Sequence, residues 1–113
     1  MSRHSLRIEY QGRAVVVLAG WDRPSKGYFL SVDFQDVEDD DDDLIYSSQF
    51  DAELIPSYGF TPDLAYFAAQ LATLQVPVPQ RMLDELARDG RDNAGNRIVE
   101  YDVDGNVVNE QFV

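Results

Sequence analysis

The chain has 113 residues, 44% of them hydrophobic, and its 21 acids against nine Lys and Arg give a net charge of −12. This length and composition are typical of one globular domain, so we expect a single domain over residues 1–113. The lack of cysteine excludes disulfides, thiol nucleophiles and Cys-ligated zinc, and the acidic balance argues against direct binding to nucleic acid, which needs clustered basic residues.

Four strands are predicted in the first half of the chain. Residues 6–11 alternate apolar and polar side chains, as in a strand with one buried face and one solvent-exposed face. The apolar run 14–19 predicts a central strand that is covered on both faces. Strand patterns at 28–34 and 44–48 complete an antiparallel meander.

Two helices follow. Thr61 is a predicted N-cap with Pro62 at the first helical position, and apolar residues then recur at helical spacing through 64–74. A second helix is predicted to begin near Pro79, and Gly90 marks its weakening or end. The two helices should pack nearly antiparallel.

A fifth strand is predicted at 97–101, and Asp104-Gly105 is a hairpin signal that could return the chain onto it. The fold class is therefore α+β: an antiparallel four- to five-stranded sheet, or β-meander, with two helices packed on one face. Residues 1–4 and 103–113 are expected to fray. The predicted core consists of Leu6, Ile8, Val15, Val17, Phe29, Leu30, Leu64, Phe67, Leu71 and Leu86.

An acidic run occupies residues 36–43, where seven of eight residues are Asp or Glu and supply more than half of the net charge. Hard cations bind several carboxylate oxygens, but consecutive aspartates in an extended loop point alternately to opposite sides. We therefore predict a flexible, solvated loop over 35–43.

The segment 102–106 also begins like a calcium-binding loop. It departs from that pattern where Val107 replaces the required glycine and Val113 the closing glutamate, so we read it as a turn. Neither a metal nor a cofactor is predicted for the chain.

Candidate catalytic groups are few. The single histidine, His4, precedes the first predicted strand and is expected to be mobile, so a positioned general base is missing. Ser47 and Ser48 have no evident activating partner. We therefore predict that the chain is not an enzyme.

The turn Trp21-Asp22-Arg23-Pro24 precedes an aromatic strand that includes Tyr28. An exposed Trp beside an Arg has the composition of an interface anchor. The alternative is that Trp21 closes one end of the core, because Trp is highly buried on average.

The segment 20–24, Gly-Trp-Asp-Arg-Pro, occurs together with Gly27-Tyr28-Phe29-Leu30, Leu44-Ile45-Tyr46-Ser47 and Gly95-Asn96-Arg97-Ile98-Val99-Glu100. In this combination the chain resembles small uncharacterised bacterial proteins that share the same turn. The resemblance spans residues 5–101. It implies a complete domain and no known activity.

The function predicted from these features is that of a small acidic protein-interaction or adaptor protein. We expect it to be cytoplasmic and to be a monomer or weak homodimer with an unidentified protein partner, since no segment approaches the ~20 apolar residues that span a membrane. The alternatives are an inhibitor that mimics nucleic-acid charge and a metal-dependent enzyme. The predicted interaction surface consists of Trp21, Arg23, Tyr28, Asp39, Asp40, Asp41, Asp42 and Asp43.

Overall fold

The computed structural model describes residues 1–35 and 44–112. In this part of the chain, six strands and two α-helices follow one another in the order β1–β4, α1, α2, β5, β6. The strands are β1 (Ser2–Tyr10), β2 (Arg13–Asp22), β3 (Gly27–Phe34), β4 (Leu44–Ser47), β5 (Arg97–Tyr101) and β6 (Val107–Phe112). The helices are α1 (Leu64–Leu74) and α2 (Gln80–Asp92), and short 3-10 turns span Ser48–Phe50 and Ala52–Ser57.

The strands form one sheet in the order β4-β3-β2-β1-β5-β6. The predicted α+β class and the meander of β1 to β4 are confirmed, but the sheet has six strands and is mixed. β5 runs parallel to β1, with Leu6 beside Tyr101, because the two helices carry the chain back across the sheet before β5 begins. β6 then pairs antiparallel with β5.

Both helices cover the same face of the sheet. Alternate residues of the central strands point toward them and are almost fully buried. Eight of the ten predicted core residues are buried; Phe29 and Leu64 are only half-buried. Phe29 is less buried because its position in β3 directs the side chain to the face of the sheet opposite the helices.

The helix boundaries differ slightly from those predicted. α1 is capped by Asp63, whose Oδ1 accepts from the Ala65 N–H at 3.1 Å, two residues after the predicted cap Thr61. α2 begins after Pro79 as expected, but it continues through Gly90 to Asp92. Neither helix combines the length and the apolar composition that crossing a bilayer requires in the described part of the chain.

The first and last described segments, β1 and β6, are paired strands, whereas fraying is expected from the sequence at 1–4 and 103–113. Val113 lies outside the described residues. β1 begins at Ser2, whose side chain is fully buried, and a turn at 102–106 brings β6 onto β5. Pairing with a distant strand supplies the backbone hydrogen bonds that a free end would lack. Of the predicted flexible loop at 35–43, residues 36–43 lie outside the described residues.

Candidate protein-interaction surface

The only histidine lies in a buried polar network under α2. His4 is fully buried; its Nε2 is 2.6 Å from Asp89 Oδ2, and its Nδ1 is 2.8 Å from the Tyr101 hydroxyl. Because an ionised Asp89 can only accept, the Nε2–H donates to it and Nδ1 faces the hydroxyl. The expectation that His4 is mobile is wrong, since its position in β1 directs it beneath α2.

Asp89 is held in its charged form by the groups around it. Burial opposes ionisation, but hydrogen bonds from His4, Ser2 and Arg97 outweigh it and hold the pKa of the carboxyl below its usual value. Arg97 Nη1 lies 2.9 Å from Asp89 Oδ1, and the same guanidinium reaches Glu85 at 2.6 Å and Glu110 at 2.9 Å. The guanidinium thus joins α2 to β5 and β6.

This network contains residue types that occur in catalytic sites, but its side chains are not accessible from solvent. His4 is fully buried, and the side chain of Asp89 is 3% exposed. The groups that hydrogen-bond to Asp89 are the side chains of His4, Ser2 and Arg97. We interpret the network as a structural connection between α2 and the sheet. Among residues 1–35 and 44–112, no group of three or more metal-ligating side chains is placed to hold an ion.

The aromatic members of the predicted interaction surface are buried. Trp21 and Tyr28 are each 6% exposed, and their rings meet edge to face at a centroid distance of 4.8 Å. The Trp21 Nε1–H donates to Asn93 Oδ1 at 2.9 Å, which fixes the end of α2 against the sheet. The alternative in which Trp21 closes the core is therefore correct, because both residues face α2.

The remaining members are in two places. Arg23 is exposed in the turn after β2, on the edge of the molecule. Asp39, Asp40, Asp41, Asp42 and Asp43 lie outside the described residues, so their contribution stays a prediction.

The face of the sheet opposite the helices is not covered by any element of the described chain. The apolar run 14–19, expected to be buried on both sides, leaves Val16 and Leu18 only half-buried on this face. Phe29 joins them from β3, while Arg3 and Arg7 of β1 are exposed there. A short apolar strip of three half-buried side chains therefore lies on this face, bordered by Arg3 and Arg7 on β1 and by Ser31 and Asp33 on β3.

A groove of about 300 Å³ lies at the β3 side of this face. Its floor includes Leu18 and Phe29, and Arg3 borders it on β1. Its other side is formed by residues 58–60, where Phe60 meets Phe29 edge to face at 6.3 Å. This volume is at the lower end of the range for ligand pockets and is sufficient for one large side chain.

Residues 48–60, the groove wall, are held in place by several contacts. Asp51 Oδ2 accepts from the hydroxyls of Tyr46 and Tyr66, each at 2.7 Å, and its Oδ1 accepts from the Glu53 N–H at 3.0 Å. Next to the wall, Thr61 pairs with Tyr28 through two backbone hydrogen bonds of 2.7 and 3.2 Å. The wall is therefore positioned without a bound partner.

The groove wall carries the most exposed aromatic residue of the described chain, Tyr58, and two further exposed apolar side chains. Tyr58 is 84% exposed, Phe50 75% and Ile55 61%. Tyr58 also has a φ of 58°, a left-handed conformation that is costly for a bulky residue and that Asn or Gly would adopt more easily. The left-handed backbone caps the end of the 3-10 turn Ala52–Ser57, where the Tyr58 N–H donates to the Ile55 carbonyl at 3.1 Å. The fold therefore accounts for the backbone conformation, whereas the exposed ring contributes little to the packing of the chain and is free to contact a partner.

The sequence alone did not indicate this surface. Leu18 belongs to a continuous apolar run, and the exposure of Tyr58 depends on a loop whose residues have no sustained period. The one available signal was the concentration of aromatic residues between 46 and 60.

No family model, curated protein or solved structure matches the chain. The resemblance to small bacterial proteins with a Gly-Trp-Asp-Arg-Pro turn therefore stays a prediction. In this chain the Trp of that turn has a packing role, which accounts for the turn without a shared activity.

Proposed function

We propose that the chain is a protein-interaction module that binds its partner through the uncovered face of the sheet and the groove wall. The observation that carries this proposal is Tyr58, an aromatic side chain that is 84% exposed on a left-handed backbone beside an apolar groove. Tyr residues at the centre of interfaces frequently supply much of the binding energy.

The surrounding face supports the same function. Leu18, Phe29 and Phe60 provide a half-buried apolar floor next to Tyr58. Exposed apolar areas with polar borders are typical of protein contact sites. The wall is already held by Asp51, so less conformational entropy would be lost on binding than with a free loop.

The test is capture of partners from an extract of the source cells with wild-type protein and two variants. Tyr58→Asn removes the ring and keeps a residue suited to the left-handed backbone. Val103→Ser is the matched control, because Val103 is 64% exposed in the turn before β6. We expect a partner that wild type and Val103→Ser retain equally and that Tyr58→Asn loses; retention by all three would refute the proposal.

A further inference from the structure

We infer that the segment bound on the uncovered face is acidic and carries one large apolar side chain, an inference that rests on the proposed function. The apolar side chain would enter the groove beside Phe29 and Tyr58. Its acidic groups would pair chiefly with Arg3, at the groove, and secondarily with Arg7 on the same strand.

The charge of this surface differs from that of the rest of the molecule. The chain has more than twice as many acids as bases, yet no carboxylate is among the described residues that line the groove, and Arg3 is. Arg3 and Arg7 have no ion-pair partner in residues 1–35 and 44–112, whereas Arg97 contacts three carboxylates. An unpaired guanidinium beside an apolar groove favours a carboxylate in the ligand.

The positions of the two arginines define the spacing of the ligand charges. Arg3 and Arg7 are four residues apart on the same face of β1, a separation of about 13 Å along the strand. Arg7 lies directly opposite Val16 on β2. Ser5, which stands between the two arginines on β1, lies opposite Leu18. One arginine therefore stands at the groove and the other beyond the apolar floor.

One acidic residue of this face lies on the groove side of β1: Asp33 of β3 is opposite Val16, which is itself opposite Arg7. Glu100 is exposed beside Ser5, but it is on β5, the neighbour of β1 on the side away from β2 and the groove. Glu9 is exposed two positions beyond Arg7, at the end of β1. The Arg3 end of β1, beside a groove whose described lining contains no carboxylate, is thus the cationic part of the uncovered face.

The experiment is selection of a random peptide library on the immobilised domain, followed by affinity measurements on the enriched peptides by fluorescence anisotropy. We expect enriched peptides with an aromatic or large aliphatic residue flanked by Asp or Glu. Arg3→Glu should weaken their binding by about tenfold or more, since a rim charge pair becomes a repulsion. Added salt should also weaken binding.

Arg91→Glu is the matched control, because Arg91 is an exposed arginine on α2, on the other side of the sheet. It should leave the affinity unchanged. Enrichment of basic or uncharged peptides, or equal effects of the two Arg→Glu variants, would overturn the inference. The same holds if no enriched peptide loses binding with Tyr58→Asn.

The results separate this inference from the proposed function. Peptides or captured partners that need Tyr58 but not Arg3 would leave the interaction surface in place and refute the acidic ligand. Concentration-dependent dimerisation that Tyr58→Asn abolishes would identify a second copy of the chain as the occupant and would also refute it. If nothing depends on Tyr58, both proposals fail.

Discussion

The ring of Phe29 lies over Gly20, its direct cross-strand partner on the uncovered face of the sheet. A Cβ atom on Gly20 would stand 2.6 Å from Phe29 Cζ and would also collide with the backbone of Ser2. The absence of a side chain at Gly20 therefore leaves room both for the backbone of β1 and for the Phe29 ring, which forms part of the groove floor.

Gly20→Ala should lower the free energy of unfolding by about 1–3 kcal/mol, since the added methyl group overpacks a closed site. Urea denaturation measures this change. Gly95→Ala is the control, because a Cβ there would make only an ordinary contact at 3.7 Å with Arg23. Equal stability of the two variants would contradict the packing of Phe29 on Gly20.

Tyr58→Asn should leave the free energy of unfolding unchanged or raise it by about 1 kcal/mol, because Asn tolerates the left-handed backbone better than Tyr. Urea denaturation of this variant and wild type provides the measurement. A loss of stability greater than about 1 kcal/mol would mean that the ring supports the fold, and the assignment of Tyr58 to binding would lose its basis.

Asn93→Gly tests the burial of Trp21. Gly accepts the left-handed conformation of residue 93, but it removes the acceptor of the Trp21 Nε1–H. We expect a loss of about 1 kcal/mol in stability. Trp21 is the single tryptophan, so fluorescence quenching by acrylamide reports on it directly. Strong quenching in the wild type would contradict the buried position.

Asp89 should make the protein sensitive to acid. Its pKa is lower in the folded chain than the value near 3.9 of an unfolded aspartate, so its stabilising contribution is complete above about pH 4. That contribution is lost as the pH falls through the folded-state pKa. Urea denaturation between pH 7 and pH 3 should give a shallower acid dependence for Asp89→Asn; an unchanged dependence would contradict the network.

Asp51 should control the ionisation of the tyrosines that hold the groove wall. The hydrogen bond to Asp51, with some burial, raises the pKa of Tyr66 to about 12, and burial with the same acceptor raises that of Tyr46. A raised pKa stabilises the fold below about pH 10, and this contribution is lost as the pH rises through the folded-state value.

NMR titration of ring-labelled tyrosine measures these values. Asp51→Asn should return the Tyr66 pKa toward 10, because the charged acceptor is removed. Tyr28 is the internal control, because burial and Asp89, not Asp51, raise the pKa of its hydroxyl, which should be the same in both proteins. A Tyr66 titration that Asp51→Asn leaves unchanged would contradict this role.

Local patterns predicted most of the fold. The period of two in residues 6–11 and the helical spacing in 64–74 are properties of neighbouring residues, and both elements are present. The parallel pairing of β1 with β5 joins residues about 95 positions apart, and no local pattern specifies it. The sixth strand was foreseen only as a hairpin return after Asp104-Gly105.

The candidate site was predicted less well, for a related reason. His4 and Trp21 are buried by contacts with α2, which is distant in sequence. The sequence therefore predicted a mobile His4 and left Trp21 open between an exposed interface anchor and a residue that closes the core. Conversely, no sequence pattern assigned Leu18 or Tyr58 to the interaction surface. Which face of a central strand stays uncovered depends on where both helices pack, and that is decided by the tertiary structure.

The most direct test of the interaction surface is NMR chemical-shift mapping of the isotope-labelled domain with a partner recovered by the capture experiment. Shifts should concentrate on the uncovered face and the groove wall, at Arg3, Leu18, Phe29 and Tyr58. Shifts confined to the exposed side of α1 and α2, with these four residues unaffected, would contradict the proposed function.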